Sequence, residues 1–178
     1  TKWGLVGVYT VGRPIGRRCM MKVGSDCYLV TENGLLPMTQ VLGTGEAAPN
    51  VALSDKISNS YNDSVVEFKG TFGWQGVVYP KGGYAAVNVP SSTAGNFIQY
   101  IINLETGAWS RFTNQDGYAW AVFNSDLYFG GSTKVYKADS GTDDSGGAIE
   151  AVAKTAFIYF GGRTGPKRYT AIRPVMAS

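Results

Sequence analysis

The sequence of 178 residues contains no histidine. That removes the imidazole general base, the His metal ligand and every Ser-His-Asp or Cys-His device. Charge is also scarce, at 16% Asp, Glu, Lys and Arg against roughly a quarter in ordinary domains. Cysteine occurs twice, at Cys19 and Cys27, flanking a Gly24–Ser25 turn. One pair is no disulfide framework for a chain this long, so two free thiols in or beside a sheet are expected. No apolar run approaches the roughly 18 residues that cross a membrane. The opening TKWGLVGVYTVGR lacks the apolar region and cleavage site of a signal peptide and begins without Met, which fits a processed product or a fragment.

Motif absences exclude more. GGRTGPK at 161–167 places Pro166 where a Walker A loop continues Gly-Lys. DSGTDDSGG at 139–147 lacks EF-hand spacing, so a solvated turn is expected there rather than calcium. The carboxylates lie mostly in turns, and Glu67 has Lys69 beside it on the same strand face. No cofactor, metal site or catalytic residue is expected, and the chain reads as a non-enzyme.

What is present is glycine (24 residues), aromatics (13%) and an apolar fraction of 44%, enough for an ordered core. Turn signals separate many short apolar runs. Strands are expected over 17–23 and 26–31, from Leu35 to Leu42 around Pro37, and over 65–69, 74–79, 84–89, 97–104 and 108–112. Others follow over 118–123, 127–129, 134–137, 149–160 and 167–175. In AWSRF, Trp109 and Arg111 share one face by the period of two. Only 47–60 suggests a short helix, and 43–64 reads as an insertion or crossover. The predicted fold is a single all-β domain over 1–178. It is built of antiparallel β-propeller blades, incomplete or a fragment, with a barrel or sandwich as the alternative.

The runs GWQGVVYPKGGYAAVNVP, YIINLETGAWSRF and AWAVFNSDLYFGGSTKVYKADSG, followed by KRYTAIRP, span residues 74–174. Asn103 with Thr106–Trp109, Leu127–Gly131 and Val135–Asp139 are their most specific parts. This stretch resembles tailed-bacteriophage structural proteins of the tail or head–tail connector, with a propeller-like fold. The resemblance implies a non-enzymatic virion structural protein, made in the host cytoplasm and assembling around the DNA channel. Its partners would be other tail or connector proteins in a symmetric oligomer, without a membrane span. A receptor- or carbohydrate-binding module of a tail tip or adhesin is the alternative.

Two residue sets follow. The acid-free ends, 1–25 and 151–178, suggest a basic surface of Arg13, Arg17, Arg18, Lys167, Arg168 and Arg173. It would dock on an acidic neighbour, form a plain solvated edge, or face packaged DNA non-specifically. Trp74, Trp109, Trp120 and Tyr118 are expected to pack between sheets, and an open groove lined by two or more of them would signal ligand binding.

Overall fold

The computed structural model describes residues 4, 7–44, 51–91, 95–144 and 146–154. Thr1–Ser140 and Gly141–Ser178 form two compact units. In the second, Asp144 and Gly147 exchange backbone hydrogen bonds and the Asp143 carboxylate accepts from Gly146 N.

The first unit opens with a three-stranded meander, β1 (Met20–Val23), β2 (Asp26–Thr31) and β3 (Gly34–Pro37). Gly24, at φ +60°, makes the first turn. Cys19 and Cys27 are free thiols, half-buried. Cys27 pairs with Lys22 and shares its face of the ribbon, whereas Cys19 alternates with Met21 on the other. A short helix, α1 (Met38–Thr44), follows β3 directly. The Asp26 carboxylate accepts from Thr39 N at 3.1 Å and from the Thr39 hydroxyl, tying β2 to the start of α1.

A 3-10 turn over Leu53–Ile57 leads into α2 (Ser58–Phe68). Tyr61, Ser64 and Val65 are its buried positions, with Ile57 and Phe68 packed against the same core. That spacing is one helical face. The Tyr61 hydroxyl donates to Thr31 O at 2.7 Å, and the Trp74 indole donates to Phe68 O at 2.8 Å.

The centre is a four-stranded antiparallel sheet in sequential order: β4 (Gln75–Tyr79), β5 (Tyr84–Pro90), β6 (Phe97–Asn103) and β7 (Trp109–Phe112). Alternation divides its side chains between two cores. Ala85, Val87, Val89, Tyr100 and Ile102 pack with Tyr61 and Val65 of α2 and with Met21, Val30 and Leu35 of the first sheet. Val77, Tyr79, Ala86 and Ile101 pack on the other side with Trp120 and Leu127. Those two belong to a third meander, β8 (Ala119–Phe123), β9 (Asp126–Gly130) and β10 (Val135–Lys137). Because β5 and β6 are covered on both faces, they read as nearly continuous apolar runs.

This architecture corrects the expected fold. Among the described residues it mixes α and β: two helices and three separate antiparallel sheets of three, four and three strands, none closed into a ring or barrel. The all-β, propeller and barrel expectations therefore fail. The resemblance to phage tail and connector proteins, which implied a propeller-like fold, fails with them. The strand expected over 65–69 is the end of α2, and the one expected from Leu35 to Leu42 stops at Pro37. Within 43–64, Tyr61 lies in the main core. Ile57, Tyr61, Val65 and Phe68 carry the helical period through an otherwise polar SNSYNDS stretch, while Val65–Val66 mimics a strand locally. Of the strand expected over 149–160, residues 149–154 form none and the remainder lies outside the described residues, as does the 167–175 run.

Candidate binding edge and cleft

Strand β7 is the outer strand of the central sheet beyond β6. The chain returns into it through a turn shaped by Asn103, whose side-chain oxygen accepts from Glu105 N at 3.0 Å and Thr106 N at 2.8 Å. Gly107 completes the turn at φ +65°. Asn103 N then donates to Ala108 O at 2.9 Å, and that bond fixes the parity of the ladder. Ser110 and Phe112 turn their main-chain groups toward β6, where they face Ile101 and Gln99. Trp109 and Arg111 therefore turn theirs outward. The opposite side of β6 agrees, because Leu104 N donates to Gly83 O at 2.9 Å on the β5 side. Among the described residues no strand pairs with the outer edge of β7.

Beside this edge lies a shallow cavity of about 230 Å³ lined by Ile57, Ser60, Tyr100, Trp109, Ser110 and Arg111. Tyr100, buried, is its floor: the hydroxyl donates to Ser60 O at 2.9 Å and lies 3.0 Å from the Ser64 hydroxyl. The half-buried Trp109 ring is anchored by its indole N–H, which donates to Leu53 O at 3.0 Å. The Lys56 ammonium donates to Gly107 O at 3.3 Å at the entry to β7. Arg111 is exposed and takes part in none of the ion pairs formed among the described residues, which use Lys69, Lys81 and Lys137. The edge thus combines free main-chain donors and acceptors, an apolar wall and an uncompensated guanidinium. The cavity is smaller than the roughly 300–1,000 Å³ of small-molecule sites.

The residues singled out from the sequence are dispersed. Trp74 is buried on the α2 side of the central sheet, edge-on to Tyr61 at 6.0 Å. Trp120 is buried on the opposite side, stacked on Phe129 at 4.8 Å. Tyr118 is half-buried against Phe97 at 5.0 Å. Of the four aromatics, Trp109 alone lines the cleft, so they form no common platform. Arg13, Arg17 and Arg18 are exposed. Arg18 also has a structural role: its carbonyl accepts from Gly76 N at 3.0 Å, and its guanidinium donates to Gln75 Oε1 at 3.3 Å. Lys167, Arg168 and Arg173 lie outside the described residues.

Sequence reasoning passed over a row of buried amides, Gln75, Asn88 and Gln99, which are direct neighbours across β4, β5 and β6. Gln75 Nε2 donates to Trp120 O at 2.6 Å, and its Oε1 accepts from Trp120 N at 2.9 Å. Asn88 Nδ2 donates to Gly73 O and Gly117 O, and Gln99 Nε2 to Asn88 Oδ1 and Gln115 O. The row holds the loop that enters β8. An amide interrupting each of three largely apolar runs, at Gln75, Asn88 and Gln99, was its signal in the sequence. Among the described residues no three Cys, Asp or Glu side chains gather as a metal site, and no helix is long and apolar enough to cross a membrane. Compared with family models, curated proteins and solved structures, the chain finds no match in any of the three.

Proposed function

We propose that this chain is a non-catalytic binding module that engages a protein partner along the β7 edge. The observation that carries the reading is the outward main-chain N–H and C=O of Trp109 and Arg111 on a strand edge that is unpaired among the described residues and flanked by a cleft. Such an edge is complementary to another extended backbone, and side-chain pockets beside it add selectivity. The cleft suits one side chain rather than a whole small molecule. A carbohydrate platform is less favoured, because Trp74 and Trp120 are core residues and a single indole remains at the cleft.

The test is a displayed library of random peptides panned against the purified chain, with Arg111→Pro as the comparison. Proline removes an outward N–H and leaves the β6–β7 bonds in place. Peptides are expected to be enriched on the wild type and to lose at least tenfold in affinity on Arg111→Pro. Absence of enriched peptides, or binding indifferent to Arg111→Pro, refutes the reading.

A further inference from the structure

Resting on that reading, we infer that the β7 edge takes up an extended acidic segment of a protein partner as a fifth antiparallel strand. The segment places an apolar side chain in the cleft and an Asp or Glu carboxylate on Arg111.

The register sets the spacing. Trp109 and Arg111 are two residues apart on one face of β7 and line the same cleft. An added strand lies about 4.8 Å from its neighbour and repeats its own side chains on one face every second residue, about 6.8 Å apart. Two such positions therefore meet two different environments. The first faces Ile57 and the Trp109 ring, an apolar wall held by the bond to Leu53 O. The second faces the exposed Arg111 guanidinium, which forks onto a carboxylate through two N–H groups. The intervening side chain points to the other face, opposite Ser110, with Phe112, 38% exposed and edge-on to Tyr84, the next residue along that face.

Charge selects among partners. Arg111 has no carboxylate partner among the described residues, and Lys56 adds a second cation at the entry to the strand. An acidic segment gains on both, whereas a basic one meets like charge. The same guanidinium disfavours uncontrolled pairing of the edge, which is how charges on edge strands ordinarily act. The edge is thus open to a backbone that brings its own carboxylate.

Fluorescence anisotropy with three synthetic eight-residue peptides tests this on the full chain. The first carries leucine and glutamate two positions apart among threonines. The second replaces glutamate by lysine, and the third is the first with alternate backbone nitrogens methylated. The acidic peptide is expected to bind at least tenfold more tightly than the lysine peptide, and methylation to abolish its binding. Arg111→Gln should lower its affinity about tenfold, and Arg111→Glu should reverse the preference. Position 111 is exposed, so both variants should keep the wild-type urea midpoint, which is checked alongside. Equal binding of acidic and lysine peptides, both lost in Arg111→Pro, refutes the acidic partner and leaves the binding edge standing. Failure of all three peptides refutes the acidic strand, and refutes the binding edge as well if the random library yields no binders. A dimer of the chain that dissociates in Arg111→Pro overturns the proposal in favour of self-pairing.

Discussion

Substituting Gln75 by leucine removes the bonds that fasten the third sheet to the centre, together with the longer one, at 3.3 Å, from the exposed Arg18 guanidinium. The Gln75 amide acts as a one-residue strand, giving and receiving one hydrogen bond with the main chain of Trp120 at 2.6 and 2.9 Å. Leucine fills similar space but leaves both Trp120 groups unpaired. Each orphaned group costs about 1–3 kcal/mol, and the added apolar burial returns about 1 kcal/mol. A net loss of about 1–5 kcal/mol is expected, a large share of the roughly 5–15 kcal/mol that holds a domain folded. With a urea slope of about 2 kcal/mol/M, the midpoint should fall by about 0.5–2.5 M with the slope unchanged. Hydrogen exchange resolved to the Trp120 amide adds a local readout, and that amide should exchange faster in the variant. A midpoint shift under about 0.3 M, or unchanged exchange at Trp120, would show that water replaces Gln75 without cost and would refute the reasoning.

Two further expectations concern stability. The Asp126 carboxylate accepts from Lys137 at 2.5 Å and from Lys81 at 2.7 Å, and these bonds hold it below the ordinary aspartate value of 3.8. A carboxyl depressed in the folded state stabilises above its unfolded value and loses that contribution as pH falls through the folded one. The urea-midpoint difference between wild type and Asp126→Asn should therefore be full near neutral pH and vanish below pH 3.8; a difference that grows on acidification would contradict this. Gly34→Ala should be strongly destabilising, by about 2–4 kcal/mol. Its φ is +124° and an added Cβ would lie 2.4 Å from Ser54 Oγ, the acceptor of Leu35 N; thermal denaturation reads the loss, and a neutral variant would contradict the packing.

Much of the local structure was legible because its turns carry chemical marks. Gly24, Gly83, Gly107, Asn124 and Ser125 all sit at positive φ in or beside hairpin turns, and glycine or Asx residues mark such sites in sequence. The strands flanking those turns were expected close to where they form. The arrangement of sheets was not legible, because a count of short strands says nothing about which faces meet. Helix α2 hides its Tyr61–Val65–Phe68 face among polar residues, and the amides that dock the third sheet look like isolated exceptions in apolar runs. At the candidate edge, the shared face of Trp109 and Arg111 followed from alternation. The outward aim of their main-chain groups did not, since it depends on the bond from Asn103 N to Ala108 O. The basic group expected at both ends of the chain reduces, within the described residues, to Arg13, Arg17 and Arg18, and Arg18 bonds Gln75.

Every strand pairing in the three sheets joins strands consecutive in sequence. Each ladder therefore closes only a short loop, which makes its entropy of closure small and its formation fast. Distance along the chain is spanned instead by the two shared apolar cores and by single bonds such as Tyr61 to Thr31, Gly76 to Arg18, and Gln75 to Trp120. The local ladders thus leave the long-range part of the fold to the contacts between sheets, where the apolar cores hold the faces together and the polar bonds set their register.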